Sequence, residues 1–204
     1  MTDKAKTTKP AEVIQEVEIK CIAVDKAAGA KLPKAAKVKF MQQGQLNWYY
    51  EPAGLLGKLL GGKLSARLRT LVSELGCTFI LKSGADPVNG VDRQEFEVSI
   101  PDRSAKAIEA LLLATGMFKP VAKWARLRDE YSYKGFTITV DDNSGYSDLF
   151  GPVYEIEGPE DAAVELAESM GLRVIGADEL QEAYEQVISD PGYYDDFVRA
   201  RKLR

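Results

Sequence analysis

The chain has 204 residues, 45% of them hydrophobic, with 31 Asp and Glu against 27 Lys and Arg and no histidine. That length suits one domain with a sizeable core, and the near-balance of charge argues against a generic nucleic-acid coat and against wholesale disorder. The missing histidine excludes Ser-His-Asp and Cys-His triads and His-ligated zinc or haem, so any chemistry falls to carboxylates, Lys, Arg, Tyr, Ser or a hard cation.

Residues 1–40 carry nine lysines against five acids, whereas residues 158–204 carry five basic groups against eleven acids. Residues 1–10 lack apolar periodicity and are expected to be a disordered leader, with 11–204 as a single domain. Glu12–Cys21 alternates, with Glu16, Glu18 and Lys20 on one side and Val17, Ile19 and Cys21 on the other, which predicts a half-buried strand. Asp25–Lys37 is compatible with a short helix broken at Pro33. Gln45–Pro52 reads as an aromatic strand and Ala53–Lys63 as a glycine-punctuated loop. Strands are predicted again over Ser65–Leu71, Thr78–Lys82 and Arg93–Ile100, with turn chemistry over Ser83–Gly90. Pro101–Gly116 predicts a helix capped by Asp102 or Ser104 and stopped at Gly116. Three more strand-like segments follow, Val121–Tyr131, Gly135–Val140 and Tyr154–Glu157. Helices are predicted over Pro159–Met170, Ala177–Ser189 and Tyr193–Arg201.

Cys21 and Cys77 form no CxxC pair and read as small buried residues, so a reducing cytoplasm is expected. No run approaches the roughly 20 apolar residues that span a bilayer, and the first residues lack the order of a secretory signal. Neither a membrane nor a nucleic-acid partner is expected.

The polar side of the strands is nearly uniform in charge. Alternate positions read Glu16/Glu18/Lys20, Arg67/Arg69, Arg93/Glu95/Glu97, Arg126/Arg128 and Glu155/Glu157, interleaved with Val17, Leu68, Phe96, Leu127 and Ile156. One such segment is the ordinary solvated face of an antiparallel sheet. Five of them, without the usual Thr, Ser, Gln and Asn, favour a shared charged lumen inside a barrel. Buried charges must be paired or bound to ions, and a polyanion with a divalent cation would meet both signs. Arg and Lys suit phosphate oxygens, whereas Glu clusters suit Mg²⁺ or Mn²⁺.

Glu16-Val-Glu18-Ile-Lys20 resembles the ExExK signature of the CYTH domain, the triphosphate tunnel metalloenzyme fold of class IV adenylate cyclases, thiamine triphosphatases and inorganic tripolyphosphatases. Further elements follow in the family's order. Gln45-Leu-Asn47-Trp-Tyr49-Tyr50 resembles its Q-x-D-x-Y-F strand, Ala66-Arg67-Leu68-Arg69 its L-R-x-R, and Leu81-Lys82 its strand ending in Lys. Arg93-Gln-Glu95-Phe-Glu97 resembles its R-x-E-x-E and Arg126-Leu-Arg128-Asp-Glu-Tyr131 its K-x-R-x-x-Y. Val140-Asp141-Asp142 with Tyr154-Glu155-Ile-Glu157 resembles the closing acids. Asn47 stands where Asp is usual, Arg126 where Lys is usual, and the stretch from Asp141 to Glu155 is longer than the pattern.

The resemblance implies an α+β fold built on a closed antiparallel eight-stranded β-barrel with a charged lumen, flanked by helices and followed by a helical C-terminal tail. It implies that Lys20, Arg67, Arg69, Lys82, Arg126 and Arg128 bind the triphosphate and act in catalysis, with Lys123 as an addition. Glu16, Glu18, Glu155, Glu157 and either Asp141 or Asp142 would hold Mg²⁺ or Mn²⁺, and Glu95 and Glu97 would orient the basic groups or complete the metal shell. The expected activity is hydrolysis of the terminal phosphate of tripolyphosphate or of a nucleoside or thiamine triphosphate. The alternatives are a class IV adenylate cyclase and a non-catalytic polyphosphate-binding module, and a homodimer is compatible with each. Trp48, Tyr49 and Tyr50 read first as packing residues, with base stacking as the alternative. The closing RARKLR run reads as a solvated helix end.

Overall fold

Alternation of charged and apolar residues builds one antiparallel sheet whose two faces differ in chemistry. The structure, a computed structural model, describes residues 12–16, 18–60, 64–72, 76–83, 93–190 and 192–203; the expected leader at 1–10 lies outside them. In chain order the strands are β1 (Glu12–Glu16), β2 (Glu18–Ala23), β3 (Lys37–Pro52), β4 (Leu64–Leu71) and β5 (Cys77–Ser83). They continue with β6 (Arg93–Ile100), β7 (Phe118–Tyr133), β8 (Phe136–Asn143), β9 (Val153–Glu157) and β10 (Leu172–Val174). The helices are α1 (Gly54–Leu60), α2 (Asp102–Ala114), α3 (Tyr146–Phe150), α4 (Glu160–Ser169), α5 (Ala177–Ser189) and α6 (Tyr193–Ala200).

Among the described residues the strands form one sheet in the order β1-β6-β5-β4-β3-β7-β8-β9-β2-β10. The α+β character is as expected, but the closed eight-stranded barrel is not formed. The ladder is open, with β1 at one end and β10 at the other. One edge of β2 pairs with β9, and along Cys21–Ala23 the other is taken by Leu172–Val174 of β10. The ladder therefore ends on β10, and among the described residues no pairing joins that end to β1.

An open ladder is still strongly curved here. β1 and β2 are separated in sequence by one residue, yet they pair at opposite ends of the order, with β6 and with β9. Lys82 on β5 lies near enough to Glu155 on β9 to help lower the pKa of that carboxyl, although five strand spacings would separate them by roughly 24 Å in a flat sheet.

The helices cover the convex, apolar face. α4 lays Ala163 and Ala167 on Ile19, Cys21, Ile138 and Ile156. α2 sets Ala105, Ile108 and Leu112 against Tyr50, Ala66, Leu68 and Cys77. α6 buries Val198 against Ala125, together with Leu203 of the closing run. Both cysteines are buried and free, as their spacing suggests. Arg201 of the closing run pairs with Asp142, so that run is fastened to the sheet and is not a wholly solvated end.

Five elements differ from the sequence expectation. Residues 25–36 form turns and not a helix; Asp25 accepts from the Ala27 and Ala28 amides, and Gly29 takes φ +64°. β3 begins at Lys37 and not at Gln45, because register shifts let it keep pairing with β7 past Gln42. Gly54–Leu60 is helical despite its glycines, with Leu55 and Leu59 exposed. α3 and β10, of five and three residues, are too short to show a period. Among the described residues no helix is long and apolar enough to cross a membrane.

The turn into α3 depends on Gly145. Its φ is +83°, and a Cβ there would come within 2.5 Å of Val187 Cγ1 on α5. Gly145→Ala therefore combines backbone strain with overpacking and should cost about 2–4 kcal/mol; thermal unfolding by circular dichroism should show the melting temperature fall by roughly 5–15 °C.

Candidate active site

The concave face encloses a cavity of about 1040 Å³. Alternation along each strand decides what faces it. β2 supplies Glu18 and Lys20, β4 Arg67 and Arg69, β5 Lys82, β6 Glu95 and Glu97, β7 Arg126 and Arg128, and β9 Glu155 and Glu157. The sheet thereby gathers most of the predicted charged positions. β3 adds Tyr49 to the cavity and presents Gln45 and Asn47 to the arginines, while its outward-pointing Trp48 and Tyr50 pack under α2. The aromatic triplet is therefore split between core and cavity.

Two further predicted residues face elsewhere. Lys123 is exposed on the other side of β7, its Nζ 5.9 Å from the centre of the Tyr194 ring. Of the two adjacent acids, Asp141 is turned inward and 1% exposed, whereas Asp142 points outward and accepts from Arg201. The Glu16 side chain lies outside the described residues.

Inside the cavity the charges form two linked groups. In the first, Asp141 accepts from Arg128 through Nε at 2.7 Å and Nη2 at 2.6 Å, and from Arg126 Nη1 at 2.8 Å. Arg128 also reaches Glu155, which lies 3.4 Å from Lys20, and Lys20 pairs with Glu18. Burial alone would raise the Glu155 pKa, but Arg128, Lys20, Arg126 and Lys82 outweigh it and hold the carboxyl well below the usual carboxylate range. Burial likewise opposes the charged form of Arg128, yet Glu155 and Asp141 raise its pKa well above normal. In the second group Glu95 sits 2.7 Å from Lys82 and 3.3 Å from Arg67.

Arg69 is compensated far less. Its Nε donates to the neutral Asn47 Oδ1 at 3.3 Å, and its nearest carboxylate, Glu97, stands 3.8 Å away. Burial, followed by the guanidiniums of Arg67, Arg126 and Arg128, lowers its pKa to about 9. Arg126 is also pulled down, by burial and then by Arg128, with Asp141 offsetting only part of the effect. A half-buried guanidinium crowded by three others is a site that a bound anion stabilises.

The acids fit a hard cation in donor chemistry. Glu18 stands directly across from Glu157 in the β2–β9 register, and both line the cavity beside Glu155. Two like charges opposite one another are unfavourable unless a cation offsets them. Among the described residues no three acids already converge as a metal cluster.

The CYTH domain family matches residues 15–184. Solved structures with the same fold include a proposed adenylate cyclase of Vibrio parahaemolyticus, 18% identical over 86% of this chain and 98% of that one, with a TM-score of 0.58. A proposed adenylyl cyclase of Hippeastrum, described as having a dominant triphosphatase activity, is 18% identical over 84% of this chain and 96% of that one, with a TM-score of 0.57. A Pyrococcus horikoshii protein is 24% identical over 84% of this chain and 89% of that one, with a TM-score of 0.51. No curated protein matches the sequence.

Sequence reasoning flagged Asn47 only as a departure from the family pattern. In the structure its neutral amide oxygen holds Arg69 without cancelling its charge. Asn47→Asp should therefore raise the melting temperature of the unliganded protein while weakening tripolyphosphate at least about tenfold, the scale of one hydrogen bond to a charged group. Isothermal titration calorimetry beside thermal unfolding checks both signs.

Proposed function

Because the chain belongs to the CYTH domain family, we propose that it is a divalent-metal-dependent triphosphate-processing enzyme whose reaction is hydrolysis of the terminal phosphate. The observation that carries this reading is Arg69, half-buried in the cavity, crowded by three other guanidiniums and with a neutral amide as its closest partner. One negative charge would not balance that cluster, whereas a chain of phosphates offers several charges in line. The triphosphatase activity described for the Hippeastrum protein supports the same direction.

The chain's own residues then divide the work. Arg69 meets phosphate oxygens first, because its nearest carboxylate, Glu97, stands 3.8 Å away; Arg126 joins it, since Asp141 offsets only part of the effect of burial and of Arg128. Arg67, Lys82 and Arg128 are held in place by Glu95, Asp141 and Glu155 and add fixed positive charge along the cavity. Such preorganised cations stabilise the charge that shifts onto the leaving oxygen without reorganising during reaction. Glu18, Glu155 and Glu157 would hold Mg²⁺ or Mn²⁺, which when bound polarises phosphoryl oxygens and acidifies water. Lys20, between Glu18 and Glu155, keeps those carboxylates near one another in the unliganded protein.

Incubation with ATP, thiamine triphosphate or tripolyphosphate and Mg²⁺ or Mn²⁺ should release orthophosphate. Cyclic AMP with pyrophosphate as the product from ATP would overturn hydrolysis in favour of cyclisation. Glu157→Gln, and separately Glu18→Gln, should lower metal-dependent turnover about 10²-fold or more while leaving the unfolding midpoint within a few degrees.

A further inference from the structure

The apolar surface left uncovered is unevenly placed. Leu55, Leu59, Leu111, Leu113 and Met117 are each at least 40% exposed, and they lie on α1, on α2 or in the turn that follows α2. The backbone joins these pieces at one corner: the Ala53 amide donates to the Met117 carbonyl at 2.8 Å, and Pro52 stands opposite Phe118 in the β3–β7 register. Gly54 and Gly116 flank that hydrogen bond, and an added Cβ at either would meet nothing within 4 Å. The corner is open. Leu55 and Leu59 are one turn apart and 73% and 72% exposed, so they stand out together from one side of α1.

The exposed charges around this corner are of one sign. Lys58 on α1, Lys106 on α2 and Lys119 on β7 all reach solvent. Of the described acids flanking them in sequence, Glu51 lines the cavity and Glu109 accepts from the Tyr50 hydroxyl at 2.8 Å. Neither α1 nor α2 contains an aromatic residue. Leucines among lysines make a poor protein interface, since aromatic residues and Arg are enriched there and Lys is depleted. A second copy docking through the same patch would also set lysine against lysine. An anionic bilayer suits both features, taking leucines into its acyl boundary and lysines against its headgroups.

We propose that the α1–α2 corner is a docking surface for an anionic lipid bilayer, on which the protein lies without crossing it. The missing run of roughly 20 apolar residues argues only against spanning; lying on a bilayer takes no more than an apolar face flanked by cations. The distribution of charge sets the orientation. The chain is acidic as a whole, at −4, and α4 carries four acids with no Lys or Arg. α4 packs over β2, β8 and β9, whereas α2 packs over β3, β4 and β5. Docking through α1 and α2 therefore meets the negative surface with lysines and leaves α4 on another part of the sheet.

Vesicle flotation tests this. The wild-type protein should float with vesicles of equal parts phosphatidylcholine and phosphatidylglycerol and bind pure phosphatidylcholine about 10²-fold more weakly, the scale of three lysines at a negative surface. Leu55→Ser/Leu59→Ser alters two solvent-facing side chains, so it should keep its thermal midpoint and lose at least about tenfold in affinity. Val24→Ser removes a side chain 70% exposed beside β2, away from the corner, and should bind as the wild type does. Tripolyphosphate at fixed ionic strength should leave flotation unchanged, because the cavity cations do not face the bilayer. No flotation of the wild type, equal flotation of Leu55→Ser/Leu59→Ser, an equal loss in Val24→Ser, or displacement by tripolyphosphate overturns the assignment. So does a dimer in sedimentation equilibrium that Leu55→Ser/Leu59→Ser converts to monomers, since the corner then belongs to a second copy.

Discussion

Repulsion among guanidinium groups held inside one cavity is the constraint on which the rest of the structure depends. Arg67, Arg69, Arg126 and Arg128 all face the same space, and each would be costly to bury alone. Asp141 resolves half of the problem by accepting from two arginines at once at 2.6–2.8 Å while itself 1% exposed. The compensation is uneven. Arg128 receives both Asp141 and Glu155 and becomes harder to deprotonate, whereas Arg126 shares Asp141 but is crowded by Arg128 and becomes easier. A gradient results, from fully paired cations near β9 to Arg69 beside β3, and ligand affinity should concentrate where pairing is poorest.

That gradient explains why the sheet curls as it does. Glu155 on β9 responds to Lys82 on β5, and Glu95 on β6 pairs with Arg67 on β4. Attractions across the concave side would be lost in a flat sheet, so charge and curvature support each other. Apolar surface is left to the convex side, where α2, α4 and α6 cover it. The cavity forms although the ladder stays open, and β10 covers the outer edge of β2 along Cys21–Ala23.

Much of the site was legible because a strand has a period of two. Once Arg67, Arg69, Arg126, Arg128, Glu155 and Glu157 were seen at alternate positions, their common face followed. The same rule places Asp141 inward with Arg126 and Arg128, since their register partners across β7–β8 are Asn143 and Asp141. What alternation cannot supply is which strands become neighbours at the ends of a sheet. Charge alternation and the family pattern both favour barrel closure, whereas the described strands form an open ladder that ends on the three residues Leu172–Val174. Lys123 shows a second limit: it is a cation near two arginines in sequence, but its odd position on β7 turns it outward to Tyr194. Tyr49 was visible only as one of three aromatics, and its position among arginines depended on long-range pairing of β3 with β4 and β7.

The family match ends at residue 184, yet α6 beyond it bears on the site. Its Val198, with Leu203, packs on Ala125, the outward neighbour of Arg126. The Tyr193 hydroxyl donates to the Lys123 carbonyl, and its ring lies 5.6 Å from Trp124. Arg201 grips Asp142, directly beside Asp141. Leu203 fits so closely over Gly44 that a Cβ there would meet its Cδ2 at 2.8 Å. Each contact falls on β7, β8 or β3, the strands that carry Arg126, Arg128, Asp141, Asn47 and Tyr49. A cluster of like charges tends to spread, and strands can yield by twisting apart. Fastening those three strands from the convex side opposes that motion without placing another group in the cavity. The cations therefore remain close and incompletely paired until an anion enters.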